Sequence, residues 1–192
     1  MKNPVDLTGR IRDILASREQ RIITSESLIP AAVLLPLFRR EGGYHILLTK
    51  RTQKVKTHKG EISFPGGVYD QEDKTLEKTA LRESFEEIGL REKDIDILGR
   101  LDDVETTTHY RIRPFVGDIP WPFPFVINRD EIEHLIELPL DGLSPEGFAK
   151  QAKLSLESGD RFVYAYHHGR HVIWGATAAI LKQFLELIRH PG

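Results

Sequence analysis

The sequence predicts an α/β protein in which helices pack on a mixed sheet. Three observations carry this expectation. Two nearly continuous apolar runs, 31–38 and 44–49, flank Gly42-Gly43; two segments, 75–88 and 176–188, have helical periodicity; and strands and helices do not alternate along the chain.

Each element follows from its local pattern. Residues 4–17 place Val5, Leu7, Ile11, Ile14 and Leu15 at roughly helical spacing, a short amphipathic helix. The runs 31–38 and 44–49 read as two strands joined by the glycine turn. A basic stretch, 50–59, then leads into Ile62-Ser63-Phe64-Pro65-Gly66-Gly67. The helical pattern of 75–88 stops at Gly89, a residue suited to the left-handed conformation that ends helices. Segments 95–104 and 111–119 look like strands, and 128–138 like a short helix or a turn region. Residues 162–166 and 171–174 form a hairpin across His168-Gly169-Arg170. A closing helix, 176–188, turns Ile180, Leu181, Phe184, Leu185 and Ile188 to one face.

The chain has 192 residues, and no repeat or flexible linker divides it, so one domain is expected, with a core of about 28–188. Composition is ordinary for a globular protein, at 40% hydrophobic and 29% charged residues. The 27 basic and 29 acidic residues leave a formal charge of −2, which gives no general drive toward nucleic acid or anionic membrane. The absence of cysteine excludes disulfides, thiolate metal sites and cysteine nucleophiles. Charges run through residues 1–20 and no apolar run reaches about 18 residues, so a soluble, cytoplasmic protein is expected.

The chemistry lies in Arg82-Glu83-Ser84-Phe85-Glu86-Glu87-Ile88-Gly89-Leu90. At about 100° per residue, Glu83, Glu86 and Glu87 share an arc of about 100° on one side of the helix. Leu81, Phe85 and Ile88 cluster within about 60° almost opposite, which predicts that this side anchors in the core. Three neighbouring carboxylates repel one another unless a positive partner sits among them, and Arg82 alone does not neutralise three. A hard divalent cation, Mg²⁺ or Mn²⁺, suits such an all-oxygen set. Gly66 and Gly67 precede the helix and permit a close backbone approach to a metal or phosphate.

This composite pattern resembles the Nudix hydrolases, whose signature is G-x5-E-x7-R-E-U-x-E-E-x-G-U. Residues 82–90 match it except at Ser84, where a bulky aliphatic is usual. The signature's earlier Glu falls on Lys74 and its Gly on Val68, so the helix motif begins one residue late relative to Gly67; Asp70, Glu72, Asp73 and Glu77 are the nearby acids. Ahead of the box, Leu47-Leu48-Thr49-Lys50-Arg51-Thr52 runs through Lys56 and Gly60 to Phe64-Pro65-Gly66-Gly67. That spacing is similar to the coenzyme A pyrophosphatase branch, with Thr52 for Ser and Lys56 for Arg, and Ile173-Trp174-Gly175-Ala176-Thr177 resembles a closing motif of the same branch.

The resemblance implies a Nudix-like α/β/α sandwich with a mixed central sheet. It also implies hydrolysis of the pyrophosphate bond of coenzyme A or its derivatives, to 4′-phosphopantetheine (or its acyl form) and adenosine 3′,5′-bisphosphate. Glu86 and Glu87 would be the principal metal ligands, Glu83 a ligand or the general base, and a Gly66 or Gly67 carbonyl a further ligand, with Arg82 beside them. A loop acid such as Glu105 is the other candidate base. Arg51, Lys56, Gly60, Gly66 and Gly67 would contact substrate, with Lys54, His58 and Lys59 adding charge suited to the 3′-phosphate. Two other readings are a Nudix hydrolase for ADP-ribose or NADH, and a non-catalytic nucleotide-sensing Nudix domain. The expected partner is a small molecule, with no nucleic acid or membrane, in a monomer or homodimer.

The other motifs read as structural. His167, His168 and His171 gather at the hairpin turn, and His109 lies near Glu105 on a loop. Trp121-Pro122-Phe123-Pro124-Phe125 reads first as a packed surface loop or dimer contact, with a lid over the pantetheine or adenine as its other reading.

Overall fold

The computed structural model describes residues 6–40, 43–54, 58–156 and 159–189. Helix α1 (Leu7–Ser17) starts at Asp6, whose side chain accepts the Gly9 amide, and it buries Ile11 and Leu15. The expected start at 4 falls outside the described residues. Strands β1 (Ile29–Arg40), β2 (Gly43–Arg51), β3 (Ile62–Ser63) and β4 (Gly66–Val68) precede helix α2 (Leu76–Ile88). Strands β5 (Asp96–Arg100), β6 (Val104–Glu105), β7 (Tyr110–Asp118) and β8 (Ile132–Pro139) follow and complete an eight-stranded sheet. In that sheet β1 runs parallel to β7 and antiparallel to β2 and β4, so the sheet is mixed as expected. Strands β9 (Ala149–Leu156), β10 (Gly159–His168) and β11 (His171–Trp174) form a second, antiparallel sheet, and helix α3 (Gly175–Arg189) closes the chain.

The apolar runs of β1 and β2 are explained by burial on both faces. Along β1, Leu35 and Leu37 join the core cluster that holds α1 and α3, while Ala32, Leu34 and Phe38 join the cluster under α2. Strand β2 repeats the division, Ile46 and Leu48 facing the first cluster and Leu47 the second. A period of two therefore sorts continuous hydrophobicity into two layers. Helix α3 contributes Ile180, Leu181, Phe184 and Leu185 to the first layer, with Ile188 packed against it.

Three expectations are corrected. The segment 128–138 is no helix: from Ile132 onward it is β8, paired antiparallel with β2 from His45↔Pro139 to Arg51↔Ile132. Ile132, Ile136 and Leu138 are buried on one side of the pleat, a two-residue period masked by Leu135 on the other. Strand β9 was not anticipated at all; its polar sequence is held extended by pairing with β10. Glu105 does not sit in a loop: it is buried in β6, opposite Arg111 of β7.

Candidate active site

Helix α2 is framed by its ends. Thr75 accepts the Lys78 amide at the start, and Gly89 takes a left-handed conformation (φ 71°) at the end, its amide bonding the last-turn carbonyls. The residue that shifts the signature is absorbed just upstream. A one-turn 3-10 helix, Gln71–Asp73, carries a reciprocal cap between Asp70 and Asp73, and Lys74 then adopts φ 64°. This turn brings Asp73 under Arg82: Nε lies 2.8 Å from Asp73 Oδ1 and Nη2 3.1 Å from Oδ2. Of the four nearby acids, Asp73 is the one that binds this guanidinium, which holds its carboxyl down at about 2.

The buried side of α2 differs from the helical-wheel expectation. Leu81 and Ile88 are buried, but Phe85 is 56% exposed and lines a cleft of about 560 Å³ with Phe123 and Val126. Ser84 and Glu87 are buried instead. The rotation is allowed because small Ser84 returns its hydroxyl to the Ala80 carbonyl (2.7 Å) and Glu87 has a counter-ion. Trp121 packs at 4.3 Å centroid distance on Phe38, so the aromatic-proline segment is a packed loop.

The three carboxylates separate into two settings. Glu83 and Glu86 share Arg82, whose Nη1 is 2.9 Å from Glu83 Oε1 and 3.0 Å from Glu86 Oε2. Arg82 also donates to the Val68 carbonyl, which ties α2 to β4. Glu87 faces the end of β2, where Arg51 Nη1 lies 3.2 Å from its Oε1. Its Oε2 is buried without a hydrogen-bond partner, as is Arg51 Nε. Burial pushes the Glu87 carboxyl up to about 8, opposed by Arg51 and by the Gly66 amide and reinforced by Glu83 and Glu131. Burial also raises Glu83, against the pull of Arg82.

The glycines explain how the backbone comes so close. A Cβ on Gly67 would lie 2.3 Å from Glu83 Oε1, and one on Gly66 would lie 2.4 Å from the Ala32 carbonyl oxygen. At Gly66 the clash is with backbone, so glycine is required there, while a side chain at position 67 would displace the Glu83 carboxylate. Gly60 turns the chain into β3 at φ 68°. Lys56 lies outside the described residues, and Lys54 and Lys59 are exposed beside it. Glu105 is remote from this constellation, since β7 and β1 intervene between β6 and β4. His171 and His134 meet with ring centroids 5.9 Å apart, on β11 and β8.

Two residues enter the site that the sequence pattern did not single out. Glu131, just before β8, sets Oε2 3.9 Å from Arg51 Nη2. Asn128 donates through Nδ2 to Glu131 Oε1 (3.2 Å), and its amide donates to the Glu87 carbonyl. The signal was local: Asn-Arg-Asp-Glu is turn chemistry, hidden inside a segment read as one helix or turn unit.

Comparison with known proteins agrees with this architecture. The model of the NUDIX domain matches residues 28–156. The chain belongs to the Nudix hydrolase family. It is 34% identical over 182 residues to an uncharacterized Nudix hydrolase, NudL, of Cronobacter sakazakii, covering 94% of each chain. The NudL of Photorhabdus laumondii is 33% identical over 159 residues, 83% of this chain and 84% of that one. Among solved structures, a MutT/nudix family protein from Enterococcus faecalis superposes with a TM-score of 0.54 at 14% identity, covering 94% of this chain and 69% of that one. That likeness is one of fold. In this Nudix chain the box carboxylates are held by Arg82 and Arg51, and among the described residues no three acidic or histidine side chains converge as a metal cage.

The donor set nevertheless fits a divalent cation. It consists of carboxylate oxygens next to a glycine backbone, the hard ligands that Mg²⁺ and Mn²⁺ take. Among the described residues the buried Glu87 Oε2 has no hydrogen-bond partner of good geometry, which leaves an acceptor directed into the site.

Proposed function

We propose that this Nudix hydrolase cleaves the pyrophosphate bond of coenzyme A or its derivatives in a reaction dependent on Mg²⁺ or Mn²⁺. The observation that carries the proposal is the convergence of one sequence block on one helix. The stretch that resembles the coenzyme A branch begins in β2 and ends in β4; its Arg51 meets Glu87 and its Gly67 abuts Glu83.

Glu83, Glu86, Glu87 and the Gly67 carbonyl would hold the cation, which when bound supplies neutralisation of the pyrophosphate and eases deprotonation of water. The protein's own groups then have distinct tasks. Arg82, locked by Asp73, fixes the orientations of Glu83 and Glu86. Glu83, partly buried and with its carboxyl raised, is the further ligand or, in place of that, the base that accepts the proton of the attacking water. Arg51 brings positive charge to the edge where the pyrophosphate would lie, and the cations of 54–59 extend that charge toward a 3′-phosphate. Water attacks one phosphorus and the other phosphate departs.

A substrate panel tests the proposal: coenzyme A, 3′-dephospho-coenzyme A, ADP-ribose and NADH, each with Mg²⁺ and with Mn²⁺, and products identified by mass. Release of 4′-phosphopantetheine with a preference for coenzyme A is the expected result. A preference for ADP-ribose or NADH would move the chain to another Nudix substrate class. No turnover of any of the four would favour a sensing role.

A further inference from the structure

We infer that Glu131 is a positioning residue that receives Arg51 when Glu87 turns to the catalytic cation. The inference rests on the reading of Glu87 as a cation ligand. In the structure, that same carboxylate is already occupied by an arginine: Arg51 Nη1 is 3.2 Å from Oε1. A cation and a guanidinium therefore compete for one buried group. If Glu87 gives up Arg51, the guanidinium needs another anion, because a cation left unpaired beside a divalent ion is repelled by it.

Glu131 is built for that exchange. Its Oε2 stands 3.9 Å from Nη2, the other terminal nitrogen from the Nη1 that holds Glu87. At that distance the pair is an ion pair without a formed hydrogen bond, so a small movement strengthens it. The other oxygen of Glu131 is held by Asn128 Nδ2 at 3.2 Å, which fixes the carboxylate near the arginine. The backbone reinforces the arrangement from both ends. The Thr52 amide, next to Arg51, donates to the Glu131 carbonyl, and the Asn128 amide donates to the carbonyl of Glu87. Arg51, Glu87 and Glu131 thus lie on three chain segments linked by backbone hydrogen bonds, and the guanidinium contacts two carboxylates, one buried and one 42% exposed. The buried Arg51 Nε without a partner marks a guanidinium not fully satisfied by its present contacts.

The alternative is that Glu131 is itself a ligand of the cation. A double-mutant cycle on cation affinity separates the two, with Mn²⁺ binding to the substrate-free protein read by calorimetry. Glu131→Gln, at a half-exposed position, should weaken Mn²⁺ binding about two- to fivefold, the range of an ion pair of this exposure. Arg51→Gln should tighten it, since the competitor for Glu87 is gone. In the Arg51→Gln background, Glu131→Gln should then have no further effect. Equal weakening with and without Arg51 would make Glu131 a direct ligand and overturn the inference, as would an unchanged affinity in Glu131→Gln. If Arg51→Gln does not fold, the Arg51 Nε–H resonance during Mg²⁺ titration decides. It should shift in the wild type and much less in Glu131→Gln, and identical shifts would overturn the inference. Failure of the underlying reading looks different: Glu87→Gln would bind Mn²⁺ as the wild type does, and the inference would fall with it.

Discussion

Arg51 at the end of β2 and Glu87 in the last turn of α2 form an ion pair of 3.2 Å in which the carboxylate is 2% exposed. A strand and a helix thirty-six residues apart are thereby joined at the one carboxylate of the Nudix box that is deeply buried. The pair only partly offsets desolvation, since the Glu87 carboxyl still rises to about 8.

That rise gives the metal-free protein a defined pH response. Glu87 releases its proton near 4.5 in the unfolded chain and near 8 in the fold. Between those values the folded state binds the extra proton, so its stabilising effect is complete below pH 4.5 and is lost as pH rises through 8. The loss is on the order of 3–5 kcal/mol at about 1.4 kcal/mol per pKa unit. Denaturant midpoints of metal-free protein at pH 5, 7 and 9 should fall in that order, and Glu87→Gln should flatten the trend. An equally steep trend in the variant would assign the pH response to other groups.

Activity should vanish with a chelator and return with Mg²⁺ or Mn²⁺. Glu86→Gln and Glu87→Gln should each lower turnover by about 10²-fold or more, the size of effect expected when a group acting on transition-state charge is removed. Folding should survive Glu86→Gln, which removes a charge from an exposed, crowded helix face. Glu87→Gln also takes away the buried partner of Arg51 and should cost some stability while leaving the fold intact. Circular dichroism alongside the rates keeps the two effects apart; a near-normal rate would make Glu86 a solvated surface charge, and Glu87 a buried structural partner of Arg51.

The altered burial of α2 yields a contrast between two apolar residues one turn apart. Leu81→Ala should cost about 2–5 kcal/mol through the cavity it leaves. Phe85→Ala should cost under about 1 kcal/mol, because the ring is more than half exposed. Thermal unfolding of the two variants measures both, and equal losses would mean that Phe85 is covered in solution.

The contrast also marks where the sequence was legible. The ends of α2 could be read because Thr75 and Gly89 act through local backbone chemistry. The strands β1 and β2 could be read because burial on both faces leaves an unbroken apolar run. The facing of α2 could not. A wheel weights Phe85 as core and Glu87 as surface, and only the tertiary partner, Arg51 from β2, makes it possible to bury the glutamate. Asp73 was visible as one acid among four, but its choice by Arg82 depends on the left-handed Lys74 and the capped turn before it. Strand β8 and Glu131 were hidden for a related reason: the partner that extends residues 132–139 is β2, more than eighty residues away in sequence.

The assignment to coenzyme A turns on a phosphate that the other candidate substrates in the panel lack. Coenzyme A and 3′-dephospho-coenzyme A share the pyrophosphate and differ at the 3′ position, so they isolate recognition of that group from the chemistry of cleavage. If the cations of 54–59 read the 3′-phosphate, its removal should raise KM, and Lys56→Ala should harm coenzyme A more than the dephospho form. A charge-assisted contact contributes about 1.5–3 kcal/mol, equivalent to roughly 10- to 100-fold in kcat/KM. Arg51→Ala should behave differently, because Arg51 is tied to Glu87 and Glu131 and is proposed to face the pyrophosphate. Its loss should lower kcat/KM for both substrates to a similar extent. Measuring the four combinations of substrate and variant therefore separates recognition of the 3′-phosphate from recognition of the pyrophosphate. Equal wild-type values of kcat/KM for the two substrates would remove the 3′-phosphate from recognition and, with it, the electrostatic argument for coenzyme A.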